Sequence, residues 1–141
     1  TATTVERRID GYRLGLLAAG IYPNPEWEHS LDPEDADAVQ RLVSSGATDV
    51  ICVNDETAAL IIPGFERLGY RVPNDIRVIG FDDVKYARLV RVPLTTLKQP
   101  CEAIGDAAVD AMLSRIARPR QEAREFLLEA EFMIRKSSIR Q

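Results

Sequence analysis

The sequence predicts an α/β protein with an open, mainly parallel sheet flanked by helices. Two short runs carry most of that expectation. "DVICVN" (49–54) and "IRVIGF" (76–81) are nearly continuous apolar stretches rich in β-branched residues, the pattern of buried strands. Between them "ETAALIIPGFERLG" reads as a helix. Strand, helix, strand in about 30 residues is a βαβ unit, with parallel strands and a right-handed crossover. Size agrees: 141 residues, 45% hydrophobic and 28% charged, suit one domain that buries a core without metal or disulfide staples.

The elements follow in order. Thr4 is a candidate helix cap, with apolar residues at helical spacing behind it: Val5, Ile9, Tyr12, Leu16 and Ala19. Gly20 is a plausible residue just past that helix, and "YPNPEW" is a turn region. Asp32-Pro33-Glu34-Asp35 supplies a cap, a proline at the first position and acids in the first turn, so a second helix is expected there. Val39, Leu42 and Val43 form its inner face, and Gly46 ends it. Asp55 is expected to cap the helix inside the βαβ unit, which Gly69 closes. Ala58, Ile61, Ile62, Phe65 and Leu68 make its core face, and Ala59, Leu60 and Pro63 a second apolar stripe suited to a partner. Pro63, in the helix interior, predicts a kink. "VPLTTLKQP" reads as extended. A long helix follows, with Ile104, Ala108, Ala111, Met112 and Ile116 on one side, and "EFLLEAEFMIRKSS" reads as a long strand.

Composition narrows the function. Net charge is −4, whereas a free-standing nucleic-acid binder usually carries a basic patch. The cluster Arg115, Arg118, Arg120 and Arg124 surrounds a helix end, where cations suit the macrodipole. No apolar run approaches the roughly 18 residues of a membrane span. "TATTVERRID" has neither a signal-peptide core nor an initiator Met, so the chain is expected to begin inside a longer protein. Cys52 and Cys101 are far apart and read as reduced core residues in a reducing compartment. Catalysis is not expected. His29 is the only histidine, no nucleophile or metal motif accompanies it, and "GLLAAG" has no strand before it to make a phosphate loop. No cofactor and no metal is implied.

In open α/β sheets the ligand crevice lies beyond the carboxyl ends of the strands. One predicted strand ends in Asn54-Asp55 and the other in Asp82-Asp83. A solvated strand end explains such residues without function. Two acceptor-rich ends in one crevice favour a polar ligand.

The motifs then line up. "RIDGYRLGLLAAGI", "DVICVNDETAALIIPGFERLGYRVPNDIRVIGFDDVKYARL", "VPLTTLKQPCEAIGDAAVDAML" and "EFMIRKSS" occur in that order over nearly the whole chain. Together they resemble the effector-binding domain of LacI/GalR-type bacterial transcription regulators. The resemblance implies a periplasmic-binding-protein-like fold of type I, here partial, in which two α/β subdomains clamp a small molecule, usually a sugar or nucleoside-like compound. It implies that Arg8, Asn54 and Asp82 reach the ligand and that Gln99, at the crossover between subdomains, also faces the cleft. Asp83 is expected to brace the loop. Trp27 or His29 could stack on a sugar ring, although a half-buried surface aromatic is the ordinary reading of Trp27.

The resemblance also implies a division of the chain. Residues 1–97 correspond to most of the C-terminal subdomain, 98–128 to the N-terminal one, and 129–141 to a returning strand and tail. The family's helix-turn-helix head and most of its first subdomain have no counterpart here, so operator DNA would be reached only through a head absent from this chain. The long helix over 100–119 lacks its own sheet. Its face of Ile104, Ala108, Met112 and Ile116 is expected to pack on another copy of the chain or to move from its family position. In the intact regulator, a cytoplasmic homodimer, effector binding would close or tilt the subdomains about 97–99 and 129–131 and shift operator affinity. A periplasmic sugar-binding component of an importer is the alternative. A GntR-type head, as in arabinose-repressor-like regulators, stays open beside the LacI type.

Overall fold

The structure, a computed structural model, describes residues 3–140. It contains five helices among those residues, α1 (Thr4–Ala18), α2 (Ala36–Ser44), α3 (Asp55–Arg67), α4 (Tyr86–Leu89) and α5 (Cys101–Ala117). Four strands, β1 (Asp49–Ile51), β2 (Arg77–Asp82), β3 (Thr95–Lys98) and β4 (Glu131–Met133), form one sheet in the order β1-β2-β3-β4. The first three run parallel, with Asp49 opposite Arg77 and Ile79 opposite Thr95; β4 is antiparallel to β3, with Leu97 opposite Phe132. The expected open, mainly parallel sheet is therefore the one found.

The helix caps differ from expectation in instructive ways. The cap of α1 is Thr3 rather than Thr4, because Thr3 and Glu6 close a capping box: the Thr3 hydroxyl accepts from the Glu6 amide at 3.2 Å and the Glu6 carboxylate accepts from the Thr3 amide. At the far end Gly20 has φ 76 and donates to the Leu17 carbonyl, while Ile21 donates to Leu16. This is the Schellman arrangement that favours glycine. The second helix begins three residues after the expected Pro33. Asp32 spends its carboxylate on the Glu34 amide of a turn, whereas Asp35 accepts from both Asp37 and Ala38 and so satisfies two orphan donors. The cap of α3 is Asn54, which accepts from the Thr57 amide at 2.8 Å, and Asp55 is its first residue.

The core lies on one face of the sheet. Val78 and Leu94 pack with Val39, Leu42, Ile61 and Phe65 of α2 and α3, all buried. Gly64 permits the close approach of those helices, since a Cβ there would stand 3.2 Å from Val39 Cγ1. The helix assigned as α3 continues through Pro63 and Gly64. The other face of the sheet is thinly covered: α1 buries no residue, and Ile51 on the edge strand is exposed. The predicted second stripe of α3 is also open, with Leu60 and Pro63 exposed and Ala59 half-buried.

Three further expectations need correction. The long C-terminal strand shrinks to Glu131–Met133, because 118–130 pair with no strand and Leu127 is 89% exposed. Cys52 is buried, but Cys101 opens α5 and is exposed, so only one thiol belongs to the core. Among the described residues nothing covers α5, which buries no residue and leaves Ile104, Met112 and Ile116 exposed; it has not folded back onto the sheet. Among the described residues no helix is long and apolar enough to cross a membrane.

Candidate functional site

The parallel register brings three strand ends to one edge of the sheet. β1 runs out into Val53 and Asn54, β2 ends at Asp82, and β3, whose Lys98 lies opposite Asp82, runs into Gln99. α1 adds Arg8 from the side. Its guanidinium lies over the Phe81 ring, 3.8 Å from the centroid, donates to the Val53 carbonyl through Nη1, and places Nη2 3.5 Å from Asp82 Oδ1. Gln99 Nε2 donates to the same Asp82 oxygen at 2.5 Å. Arg8, Asp82 and Gln99 thus form one half-buried cluster, and Asn54 stands beside it, next to the carbonyl that Arg8 holds. Asn54 Oδ1 is committed to its helix cap, so its amide NH₂ is the part free of that duty. Trp27 and His29 are exposed, on and just after a short 3₁₀ turn, Pro25–Trp27, and no contact draws either one to this cluster.

The turn that aims Asp82 is unusual. Asp82 has φ 110 and Asp83 φ 53, in the region that glycine favours. Such a backbone persists only where its surroundings hold it. Here they do. The Asp83 side chain is 2% exposed and paired with Arg135 at 2.6 Å and Arg88 at 3.4 Å, and the Asp83 amide donates to Thr96 Oγ1. Arg135 also donates to the Leu94 carbonyl. Asp55, fully buried, accepts from the Val84 amide at 2.9 Å and from the Thr96 hydroxyl at 2.5 Å. Burial pushes the Asp55 carboxyl up from its ordinary value, its two hydrogen bonds pull it partly back, and the nearby charges of Asp82 and Asp83 raise it further.

Asp55 is therefore not the helix cap it was expected to be; its carboxylate ties the start of α3 to the loop after β2. Gly80 makes room for it. A Cβ at Gly80 would meet Asp55 Oδ1 at 2.3 Å and Leu94 Cδ2 at 2.8 Å. Glycine inside a strand signals such a close approach, so this brace had a trace in the sequence. Arg135, Thr96 and Phe81 had none at short range, since Asp83 and Arg135 are 52 residues apart.

The model for the periplasmic binding protein-like domain matches residues 1–138. The chain belongs to the periplasmic binding protein-like domain family. Within it the chain is similar to regulators of transcription. It is 34% identical over 140 residues to the HTH-type transcriptional repressor PurR of Photobacterium profundum, an alignment covering 96% of this chain and 42% of the relative. The ribose operon repressor of Haemophilus influenzae matches at the same identity and coverage. Among solved structures, a transcriptional regulator CelR–cellobiose complex superposes with TM-score 0.80 at 28% identity, covering 93% of this chain and 42% of that one. A LacI family transcriptional regulator from Enterococcus faecium with bound ribose gives TM-score 0.78 at 29% identity, covering 95% and 51%. The family's fold and the resemblance to LacI/GalR-type effector-binding domains thus hold over nearly the whole chain, which spans about two fifths of the length of the curated relatives it matches.

Proposed function

We propose that this chain is part of the effector-sensing domain of a bacterial DNA-binding transcription repressor. It takes a small polar effector, a sugar, in an inter-subdomain cleft and couples its occupancy to operator affinity. The observation that carries the reading is the convergence of Arg8, Asp82 and Asn54 on one strand-end edge, half-exposed and held by a buried brace. A guanidinium, a carboxylate and an amide offer fixed donors and acceptors to neighbouring hydroxyls, and charge-assisted hydrogen bonds are the strong ones. A site built to pair hydroxyls also rejects analogues lacking them. The sugars named with the solved relatives, cellobiose and ribose, are of that class.

The division into 1–97, 98–128 and 129–141 belongs to the same proposal. It is supported by α5, which buries nothing against the sheet of this chain. So do a cytoplasmic location, a homodimer that uses the open stripe of Leu60 and Pro63, and a role as a sensor without catalysis.

Titration calorimetry of the full chain with D-ribose and with cellobiose tests the reading. Arg8→Ala and Asp82→Asn are each expected to weaken the sugar that binds by about tenfold or more, the scale of one charge-assisted hydrogen bond. Parent-like affinity in either variant, or a parent that binds neither sugar, would overturn it.

A further inference from the structure

We propose that Gln99 is a positioning residue, whose amide fixes the Asp82 carboxylate and ties it to the turn that leads into α5. The inference rests on the reading of Asp82 as a ligand group, and it assigns Gln99 a role that acts through Asp82 instead of through the ligand.

The geometry is asymmetric. Gln99 Nε2 and Arg8 Nη2 both meet Asp82 Oδ1, at 2.5 and 3.5 Å. With Oδ1 occupied, Oδ2 is the oxygen left to accept from a ligand hydroxyl. The backbone of the turn is secured from elsewhere, by Thr96, Asp55 and Arg135. The direction of the Asp82 side chain is secured by Gln99 and Arg8.

Gln99 itself stands at a mechanical junction. Lys98, the last residue of β3, lies opposite Asp82, and Pro100 is the N-cap of α5. Pro100 restricts the backbone of the residue before it, and the Cys101 amide donates back to the Gln99 carbonyl at 2.9 Å. The turn is therefore stiff, and its side chain reports its position directly to Asp82. α5 buries no residue, which leaves its angle to the sheet to the two segments that join it to the sheet, this turn before it and residues 118–130 after it. If α5 swings about this turn, the amide leaves Oδ1 and Asp82 loses its aim. Conversely, a ligand that fixes Asp82 favours one angle of the turn. Ligand grip and crossover angle become one equilibrium, which is the requirement for coupling between two sites.

The test uses hydrogen–deuterium exchange of the full chain without ligand, read on peptides spanning residues 99–104. Gln99→Glu keeps the volume and replaces a donor with a carboxylate facing Asp82. Exchange in this segment is expected to rise by about tenfold or more, the scale of a lost hydrogen bond to a charged group. Adding Asp82→Asn restores a donor with reversed polarity, and D82N/Q99E is expected to return towards the parent rate. A role for Gln99 in packing alone predicts parent-like exchange in Q99E and no recovery in the double variant, and either result overturns the proposal. The two readings fail separately. If D82N loses sugar in calorimetry but the exchange cycle is additive, the tie falls and the ligand site stands. If the cycle couples and sugar binding survives D82N, the ligand site falls and the tie stands.

Discussion

Gly80→Ala tests whether the strand end is held by the close approach of Asp55. The added Cβ would stand 2.3 Å from Asp55 Oδ1, 2.8 Å from Leu94 Cδ2 and 3.2 Å from Asp55 Cα. None of these is the tip of a long flexible side chain. Asp55 is fully buried and spans Thr96 and Val84, and Leu94 is fully buried in the core. Overpacking a core by one methyl costs about 1–3 kcal/mol. If Asp55 yields, its two hydrogen bonds weaken as well, at roughly 1.5–3 kcal/mol for bonds to a charged group. The single variant should therefore lose about 3–5 kcal/mol, a large part of a typical domain's stability of about 5–15 kcal/mol. Asp55→Ala loses the same bonds but removes the nearest clashing atom, leaving the contact with Leu94 Cδ2 at 2.8 Å. D55A/G80A should then cost clearly less than the sum of the two single variants, and a double-mutant cycle by urea unfolding should return a coupling of about 2 kcal/mol or more. A Gly80→Ala variant within about 0.5 kcal/mol of the parent, or costs that simply add, would refute the close-approach account.

Three further predictions concern titration and thiols. Arg71 donates to both Asp75 carboxylate oxygens, and its hydrogen bonds bring the Asp75 carboxyl down to about 2. A depressed acid contributes stability that is present above its unfolded value and is lost as pH falls through the folded one, so Asp75→Asn should flatten the acid limb of a pH–stability curve between about pH 4 and 2. Asp55 has the opposite sign: its raised value means that its contribution is present below the unfolded value and lost as pH rises through the folded one, so Asp55→Asn should remove a decline on that side. Unchanged limbs in these variants would contradict the assignments. Cys101 is exposed, whereas burial pushes the Cys52 thiol up to about 12. An aromatic disulfide reagent should therefore titrate one thiol rapidly in the native chain and both after denaturation; two rapid thiols in the native chain would contradict the burial of Cys52.

Local periodicity made the architecture legible, because a buried strand and an amphipathic helix write their period into neighbouring residues. The runs around Val50 and Val78, and the face Ala58, Ile61, Ile62 and Phe65, were readable for that reason. Boundaries were less so where two residues compete for one role. Thr3 and Thr4, Asp32 and Asp35, Asn54 and Asp55 are all able caps, and the winner is set by which side chain satisfies more orphan amides or has other work in the core. The C-terminal segment misled because "EFLLEAEFMI" has strand composition, while only Glu131–Met133 finds an edge to pair with. At the site, the acceptor-rich strand ends were visible as pairs of residues, and the resemblance picked out Arg8 and Gln99. Of the buried brace only Gly80 left a trace, since Thr96 and Arg135 are ordinary residues until the chain folds them against Asp55 and Asp83.

The three carboxylates at this corner would repel one another, and the structure resolves the conflict by giving each a different environment. Asp83 is nearly sealed from water and takes two arginines, Arg135 and Arg88. Asp55 takes no arginine; it is sealed beneath Thr96 and Val84, and its raised pKa is the cost of that burial. Removing one partner from a buried charge is far more damaging than the pair is stabilising, so these two acids lock the turn more firmly than their net energies suggest. That lock is what permits a non-glycine residue at φ 110. Asp82 is left half-exposed, with its Oδ1 tethered by Gln99 and Arg8. An acid that only terminated a strand in solvent would need neither the strained backbone nor two buried neighbours to hold it. The strain and the brace together favour a residue aimed for binding over one that merely ends a strand.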